Sequence, residues 1–359
     1  MKTQCEPVET IDDVSASWMT AALEQAGLNC VVSEVSSQPI GTGQMADSFR
    51  VNLTFDSHDA SQELPRSLVI KMQAEDVLSR QAGAGGAYSS EIRFYTELAP
   101  TVSIRTPHCY LAIGPDDTGR FALILEDMAP AEQGDQLLGC DVESARSAVI
   151  NLAGLHGPRW CDPGLYDVVP HRSADEMAYM ADVVAEFTTG FIAHYGDRVS
   201  PEDRLVLQAF APECGRWLSS HRDRFVPVHG DYRLDNLLFG RNDAGDIEVS
   251  AVDWQTLDLG LPGRDLGYFL GNSLMPVDRR ASETELVGVY HDALLGYGVK
   301  DYSLEQCFDD YRYGQFQGLM ITVLAAVGLA HTERGDNMFM VMSSRACEAI
   351  RDLDSLALL

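Results

Sequence analysis

The sequence predicts an α+β protein with two lobes, a β-rich N-terminal lobe over residues 1–127 and an α-rich C-terminal lobe over residues 128–359. A chain of 359 residues exceeds what one ordinary core accommodates, so two lobes are expected. Short apolar runs separated by turn residues dominate the first part, whereas apolar residues recur every three or four positions after about residue 141. The hydrophobic content of 45% supports a folded globular protein.

The predicted N-terminal lobe begins with a helix over residues 11–27 that ends at a glycine. Glycine-rich residues 81–90 resemble a mobile loop, and residues 90–99 resemble a short helix. Strand-like runs surround these segments, the first three in the order of a β-meander. The strands are predicted at 30–40, 49–55, 68–72, 106–113 and 121–128.

Long amphipathic segments fill the predicted C-terminal lobe. Helices are predicted at 141–156, 173–196 and 201–221, a strand at 247–254, and further helices from about residue 265. The longest apolar run, residues 318–330, is too short to span a bilayer and favours a buried helix.

The formal net charge of −28 disfavours nucleic acid and anionic membranes as partners, although an acidic solvated surface explains it equally. Eight cysteines without a CxxC pair or a cluster with histidine suit a reducing compartment and give no zinc site. The first residues contain no apolar core of a signal peptide. We therefore expect a soluble cytoplasmic protein, either a monomer or a homodimer.

The stretch "VPVHGDYRLDNLLFG", residues 226–240, places His229, Asp231 and Asn236 in the spacing H-x-D-x-x-x-x-N. Kinase catalytic loops use this spacing, because the aspartate accepts the proton of the substrate hydroxyl and the asparagine holds a magnesium ion. A polar turn between two strands is the simpler alternative.

An aspartate follows seventeen residues after Asn236, at the end of the apolar strand "VSAVDW". This residue, Asp253, stands where kinases place the carboxylate that holds magnesium between the phosphates. Carboxylate and amide oxygens are ligands that Mg²⁺ accepts. Capping of a strand end is the alternative for this residue.

Lys71 lies in the strand-like run "SLVIKM" and is one of only three lysines, whereas the other 23 basic residues are arginines. A charge in an apolar strand needs a partner, and a compact ammonium suits the α- and β-phosphates of a nucleotide. The alternative is a lysine that protects an edge strand from aggregation. Glu91 is the expected ion-pair partner, although Glu97 on the same short helix is not excluded.

Two further segments are candidates for nucleotide contacts. Gly41 and Gly43, in a turn before Lys71, would let backbone N–H groups approach phosphate oxygens, although an ordinary hairpin also explains them. Glu126 and Met128 follow the apolar run "LIL", where backbone groups could pair with an adenine if the segment is not simply an edge strand.

These residues together resemble the aminoglycoside phosphotransferase and choline kinase superfamily, which has a bilobal protein-kinase-like fold. "HGDYRLDNLLF", "VDWQ" and "LPGRDLGYFL" look most like the ecdysteroid-kinase-like and related bacterial phosphotransferase branch, and are similar to the kinase-like domain attached to some acyl-CoA dehydrogenases. The resemblance extends over about residues 40–270, and "LAGLHGPRW" matches the helix before the catalytic loop.

The resemblance implies a nucleotide-binding N-terminal lobe and a catalytic, substrate-binding C-terminal lobe. It implies that Asp231 is the catalytic base, that Asn236 and Asp253 bind magnesium, and that Lys71, oriented by Glu91, holds the ATP phosphates. Asp265 would support the catalytic loop, with a helix N-cap as the alternative or additional role. Arg233 would stabilise the transferred phosphoryl group, although a structural salt bridge is equally consistent.

The departures from protein kinases favour a small-molecule substrate. Gly230 replaces the arginine after the histidine, and Trp254 replaces the phenylalanine after the magnesium-binding aspartate. An "APE" at 211–213 precedes the catalytic loop, so it cannot end an activation segment. Only a dozen residues separate Asp253 from Asp265, too few for a platform that binds a peptide.

The sequence thus predicts an ATP- and Mg²⁺-dependent transfer of the γ-phosphoryl group to a hydroxyl of a small molecule. Residues 125–143 contain six acids and no base, which suits an aminoglycoside or amino alcohol but also an ordinary solvated loop. Apolar helices in the same lobe fit a sterol-like or polyketide alcohol equally. A nucleotide-binding pseudokinase with a regulatory role is the alternative from another class.

Overall fold

The computed structural model divides into two compact units. The structure describes residues 5–41, 45–58, 62–76, 80–81, 83–221 and 223–359. The N-terminal unit comprises Met1–Pro100, Thr106–Ala129 and Asp253–Thr256, and the C-terminal unit comprises Thr101–Arg105, Pro130–Val252 and Leu257–Leu359. The predicted α+β class, with an antiparallel sheet in the N-terminal part and helices in the C-terminal part, is confirmed. The lobe boundary after residue 127 stays a prediction.

A five-stranded antiparallel sheet forms the N-terminal unit, with the strand order β1-β2-β3-β5-β4. Leu68, Ile70 and Met72 are buried on one face of β3, and towards the end of the strand Lys71 and Gln73 are buried on the other face. The strands are β1 (Cys30–Ile40), β2 (Ala46–His58), β3 (Ser67–Gln73), β4 (Cys109–Ile113) and β5 (Ala122–Glu126).

Helix α1 (Ala16–Gln25) covers the core of this sheet. The Ser15 hydroxyl accepts a hydrogen bond from the backbone N–H of Trp18 at 3.2 Å and thereby caps the first turn. Met19, Ala22 and Leu23 are buried on one face of the helix, within the same core cluster as the strand residues. The predicted helix therefore exists, although it is shorter than residues 11–27.

Most described residues of the glycine-rich segment predicted as a loop are helical, although Gly86, with a φ of 134°, is not. Gly83–Ala87 form a helical turn that leads into α2 (Tyr88–Arg93) and a wider turn over Phe94–Leu98. Tyr88 anchors this segment, because its buried ring stacks on Phe121 with centroids 4.2 Å apart and its hydroxyl donates to the Met45 carbonyl at 2.6 Å. Burial of that ring offsets the low helix propensity of the glycines.

Ten α-helices lie among the described residues of the C-terminal unit. They are α3 (Val142–His156), α4 (Leu165–Val168), α5 (Ala174–Tyr195), α6 (Pro201–Phe210), α7 (Cys214–Ser219), α8 (Gly263–Ser273), α9 (Pro276–Gly296), α10 (Leu304–Gly314), α11 (Phe316–Gly328) and, last among the described residues, α12 (Glu333–Asp352). The single helix predicted over 201–221 is divided at Ala211–Glu213, where Pro212 supplies no backbone N–H. The apolar run of 318–330 lies mostly within α11, which packs on α5, α8 and α12. Among the described residues no helix is both long and apolar enough to cross a membrane.

Two small sheets in the C-terminal unit hold the segment that contains Asp231. Strand β7 (Val226–Val228) pairs with β10 (Asp258–Gly260), and β8 (Leu237–Arg241) lies between β6 (Glu132–Gln133) and β9 (Ile247–Ala251). The chain therefore leaves one sheet at residue 228 and enters the other at residue 237. Residues 229–236 form the connection, which we call the catalytic loop in the sense of the prediction above.

Candidate active site

Lys71 is buried in the N-terminal unit beside two carboxylates. It lies on β3, opposite Ser48 of β2 and Leu123 of β5, and is 8% exposed. Its Nζ lies 2.7 Å from Oε2 and 2.9 Å from Oε1 of Glu91, and 3.0 Å from Oδ1 of Asp253. Burial alone would lower the pKa of Lys71, but the charges of Asp253 and Glu91 raise it above its ordinary value.

These contacts decide between the alternatives that the sequence left open for the role of Lys71 and for its ion-pair partner. Strand β3 lies between β2 and β5, so the interpretation of Lys71 as an edge-strand lysine is wrong. The ion pair is made with Glu91, which is fully buried, whereas the carboxylate of Glu97 lies 3.8 Å from Arg93. The ammonium group of Lys71 is therefore buried and held in place by a carboxylate, and such a group can act as a point charge for phosphates.

Asp253 and Trp254 belong to the N-terminal unit although they follow strand β9 in sequence. Asp253 has a φ of 68°, in the left-handed region that aspartate tolerates better than most residues. The Trp254 ring stacks on Phe94 with centroids 3.4 Å apart, and its backbone N–H donates to Oε1 of Glu91 at 3.3 Å. Tryptophan in place of phenylalanine thus anchors this segment to the helix of Glu91.

The structure gives less direct support for the other residues that were predicted to contact a nucleotide. Gly41 has a φ of 74° at the end of β1, a conformation that suits glycine, whereas Gly43 lies outside the described residues. Glu126 ends β5, which is an inner strand, so the edge-strand alternative is wrong. Its backbone N–H donates to the His108 carbonyl at 2.8 Å, and half-buried Met128 follows outside any strand.

In the C-terminal unit, three donors converge on the carboxylate of Asp231. Nε of Arg233 lies 3.1 Å from both carboxylate oxygens, and Nδ2 of Asn236 donates to Oδ2 at 2.8 Å. The hydroxyl of Tyr268, on α8, donates to Oδ1 at 2.7 Å. Because Tyr268 is buried next to Asp231, its pKa is raised well above the usual value and it remains a donor at neutral pH.

Arg233 belongs to a short row of alternating charges. Its Nη1 donates to Oδ2 of Asp235 at 2.8 Å, and Arg334 from α12 approaches the same carboxylate at 3.3 Å. Burial would raise the pKa of Asp235, but Arg233 and a backbone hydrogen bond from Gln136 lower it below the usual value. The salt-bridge alternative for Arg233 therefore describes the arrangement that the structure contains.

The carboxylate of Asp265 binds the backbone of the catalytic loop. Its carboxylate accepts hydrogen bonds from the backbone N–H groups of His229 at 2.6 Å and Gly230 at 2.9 Å, and lies 3.3 Å from Nε2 of His156. Burial would raise its pKa, but the hydrogen bond from His156 and those of the loop lower it. Asp265 is the third residue of α8, whose N-cap is Pro262, so the N-cap alternative is wrong.

Tyr268, His156 and Gln317 complete the site and were not among the predicted residues. Nε2 of Gln317 donates to the Gly230 carbonyl at 2.7 Å, and Nδ1 of His156 lies 2.6 Å from the Tyr290 hydroxyl. Tyr268 follows Asp265 by three residues, so the helical spacing of "DLGY" could have placed both on one face. Gln317 lies on α11, 87 residues after Gly230, so no local sequence pattern could have indicated its contact with the loop.

At least three of the six acids in residues 125–143 make local contacts within the protein. Asp127 makes two hydrogen bonds with Arg50 at 2.8 and 3.1 Å, and Asp141 caps α3 by accepting from Ser144 N–H at 2.7 Å. Asp135 accepts from Leu137 N–H at 2.7 Å. The number of acids in this stretch is thus weak evidence for a cationic substrate.

The side-chain oxygen atoms of Asn236 and of Asp253 are of the kind that hard cations accept as ligands. Nδ2 of Asn236 donates to Asp231, so Oδ1 is the atom of this amide that could act as a ligand. Asp253 supplies a carboxylate in the N-terminal unit. Amide and carboxylate oxygens are ligands for Mg²⁺, which is usually held by one or two carboxylates together with phosphate oxygens.

Comparison with known proteins identifies the fold. A family model described as "Uncharacterized oxidoreductase dhs-27" matches residues 222–352, which is less than half of the chain. A comparison with curated protein sequences finds no match. Among solved structures, a Ralstonia eutropha protein assigned as an aminoglycoside phosphotransferase is 18% identical with a TM-score of 0.56, over 94% of this chain and 97% of that one.

Two further structures have the same fold at lower identity. Choline kinase from Cryptosporidium parvum is 12% identical with a TM-score of 0.52, over 90% of this chain and 91% of that one. Aminoglycoside 2'-phosphotransferase-IIIa in complex with GDP is 12% identical with a TM-score of 0.51, over 93% and 99%. The chain therefore has the fold of small-molecule phosphotransferases, and the predicted resemblance is confirmed at the level of the fold.

Proposed function

We propose that this protein is a phosphotransferase that moves the γ-phosphoryl group of ATP, in the presence of Mg²⁺, to a hydroxyl group of a small molecule. The observation that carries the proposal is the carboxylate of Asp231, which Arg233, Asn236 and Tyr268 hold in one orientation. Known proteins with this fold include aminoglycoside phosphotransferases and choline kinase, which supports phosphoryl transfer.

The chemistry assigns one role to each group. The substrate oxygen forms a bond to the γ-phosphorus as the bond to the β–γ bridging oxygen breaks, and ADP leaves. Asp231 accepts the proton of the substrate hydroxyl. Lys71 neutralises phosphate charge while Glu91 orients it, and Asn236 and Asp253 each offer an oxygen ligand for Mg²⁺. Arg233 positions Asp231.

The substrate is a small molecule with a hydroxyl group, and aminoglycoside-like, amino-alcohol-like and sterol-like compounds are all candidates. Bound GDP in one related structure makes GTP a second candidate donor. We expect the protein to be a cytoplasmic monomer or homodimer that binds neither nucleic acid nor membrane. A regulatory pseudokinase is the alternative, and the observation that favours it is that Arg233 donates to both carboxylate oxygens of Asp231, the atoms that would accept the substrate proton.

Thermal shift and turnover measurements test the proposal together. The protein is titrated with ATP and with GTP in the presence of Mg²⁺, and release of the nucleoside diphosphate is then followed across a library of hydroxyl compounds. Nucleotide-dependent stabilisation with turnover of at least one compound is expected. Binding without turnover favours the pseudokinase, and no stabilisation by either nucleotide would contradict the proposal.

Replacement of Lys71 should weaken nucleotide binding. We expect Lys71→Ala to lower the affinity for ATP at least about tenfold, because a buried point charge for the phosphates is lost. Lys71→Arg should recover little, since a larger planar guanidinium does not reproduce the contacts of the compact ammonium with Glu91 and Asp253. Fluorescence titration with an ATP analogue provides the measurement, and Lys300→Ala, which changes an exposed lysine, is the control. Equal affinity in all three variants would contradict the role of Lys71.

Tyr268 is expected to act as a positioning residue. Tyr268→Phe removes one of the donors to Asp231, and we expect kcat to fall about tenfold with little change in the KM for ATP. Tyr311→Phe is a matched control, because its buried hydroxyl also donates to a carboxylate, that of Glu283 at 2.8 Å. Steady-state kinetics distinguish the two variants. A similar loss of kcat in both would indicate a general structural effect.

A further inference from the structure

Two histidines and an aspartate from three segments of the C-terminal unit lie together at its surface. His194 is in the last turn of α5, His331 lies between α11 and α12, and Asp336 is in the first turn of α12. One potential ligand atom of each side chain lies within 4.8 Å of those of the other two. None of these residues belongs to the proposed phosphotransfer site.

The contacts of the cluster already organise its ligand atoms. The rings of His194 and His331 stack with centroids 4.3 Å apart and planes 20° apart. Nδ1 of His331 lies 3.0 Å from Oδ1 of Asp336, which also accepts a hydrogen bond from the Tyr195 hydroxyl at 2.8 Å. Asp336 is therefore held next to both His331 and the last residue of α5.

The chemistry of these three groups selects a particular class of cation. Two imidazole nitrogens and one carboxylate oxygen suit Zn²⁺, Co²⁺ or Ni²⁺, whereas Mg²⁺ prefers an all-oxygen set with several waters. Three protein ligands also leave room for a water molecule in a tetrahedral site. The set therefore differs in metal preference from Asn236 and Asp253.

We propose that His194, His331 and Asp336 form a binding site for a divalent first-row transition-metal ion, separate from the phosphotransfer site. The two rings must open from their stacked arrangement, because each imidazole nitrogen has to point its lone pair at the ion. Bonds of about 2.0–2.1 Å bring neighbouring ligand atoms to roughly 3.3 Å in a tetrahedral site. Both histidines are exposed, so rotation of their side chains can supply this movement.

The charges around the cluster are compatible with a bound cation. Arg198 is the basic residue beside it, and its guanidinium lies 5.5 Å from the Tyr195 ring and donates to Asn337 at 3.0 Å. Arg334, two residues before Asp336, is directed towards Asp235. The net charge of −28 adds a general attraction for cations.

A bound ion would join the end of α5 to the start of α12. The same part of α12 carries Arg334 and Met338, which contact Asp235 and Arg233 of the catalytic loop. Since an ion that binds the folded protein stabilises it by mass action, occupancy should raise the unfolding temperature. Metal content is therefore expected to affect the stability of this helix junction.

Isothermal titration calorimetry of the untagged 359-residue chain with CoCl₂, in excess Mg²⁺, tests the proposal. We expect one Co²⁺ per chain, a visible absorption band of a low-coordinate cobalt site, and competition by Zn²⁺. Affinity should fall at least about tenfold in His194→Ala, His331→Ala and Asp336→Asn. His108→Ala, which removes an exposed histidine of the N-terminal unit, should leave binding unchanged.

Each other outcome overturns the assignment. No binding by the wild-type protein at millimolar Co²⁺, or equal binding in all variants, would exclude this site. Loss in the histidine variants without loss in Asp336→Asn would exclude the three-ligand set. Thermal unfolding of each variant without metal confirms that it is folded, and because no step requires phosphoryl transfer, the outcome does not depend on the proposed function.

Discussion

Asp231→Ala is expected to lose essentially all phosphoryl transfer, with kcat reduced by a factor of about 10³ or more, while the affinity for Mg²⁺–ATP changes little. A positioned general base contributes about 10²–10⁴ in rate, and the alanine has no group that can accept the hydroxyl proton. Lys71, Glu91 and Asp253 are unchanged in this variant, so the proposed phosphate contacts remain. Rapid-quench turnover and fluorescence titration with an ATP analogue measure the two quantities.

The controls for this variant address folding and charge. Asp231→Asn retains the size of the side chain but not its charge, and should be nearly as inactive as the alanine variant. Asp223→Ala removes an aspartate whose side chain is 70% exposed and should retain full activity. If Asp231→Ala retains wild-type turnover, the assignment of this residue and the proposed mechanism are both wrong.

Asp265→Asn should destabilise the protein by about 3 kcal/mol, because a buried carboxylate with several donors is replaced by an amide. The backbone N–H groups of His229 and Gly230 donate to different oxygens of Asp265, so in the asparagine variant one of them would lose its acceptor and face the amide NH₂, which is itself a donor. The pKa of Asp265 lies below its usual value, so its contribution is complete above the unfolded-state pKa of about 3.9. That contribution is lost as the pH falls through the lower folded-state pKa.

Urea unfolding as a function of pH checks this prediction. The difference between wild type and Asp265→Asn should be largest near neutral pH and should shrink as the pH falls below about 4. Asp301→Asn, which alters an exposed aspartate, provides the comparison. A difference that does not change between pH 7 and pH 3 would mean that ionisation of Asp265 is not what stabilises the loop.

The fold could be predicted largely because its hydrophobic periodicity changes along the chain. The short apolar run of residues 68–72 indicated a strand, and the recurrence at three and four residues indicated the later helices. Residues 83–87 could not be predicted, since their helical turn depends on burial of Tyr88 against Phe121, which no local propensity reveals. Membership of Asp253–Thr256 in the N-terminal unit likewise depends on the packing of Trp254 on Phe94.

The sequence predicted those residues of the candidate site whose chemistry requires a fixed spacing along the chain. Asp231 and Asn236 are five residues apart on one loop, so their hydrogen bond follows from the motif. The scarcity of lysine made Lys71 noticeable, but only the sheet order excluded an edge strand. Gln317 contacts the loop from α11 and His156 contacts Asp265 from α3, and such tertiary contacts leave no local pattern in one sequence.

The backbone of Asp253 affects how this position can be studied by mutagenesis. A φ of 68° costs an alanine roughly 1–2 kcal/mol, whereas glycine adopts it freely and asparagine tolerates it. Alanine scanning would therefore remove the carboxylate and strain the main chain in one step. Asn and Gly, compared side by side, separate these effects: Asn keeps the polar side chain without its charge, and Gly relaxes the main chain without any side chain. Libraries that sample this codon with all residues should return mainly Asp, Asn and Gly among folded clones.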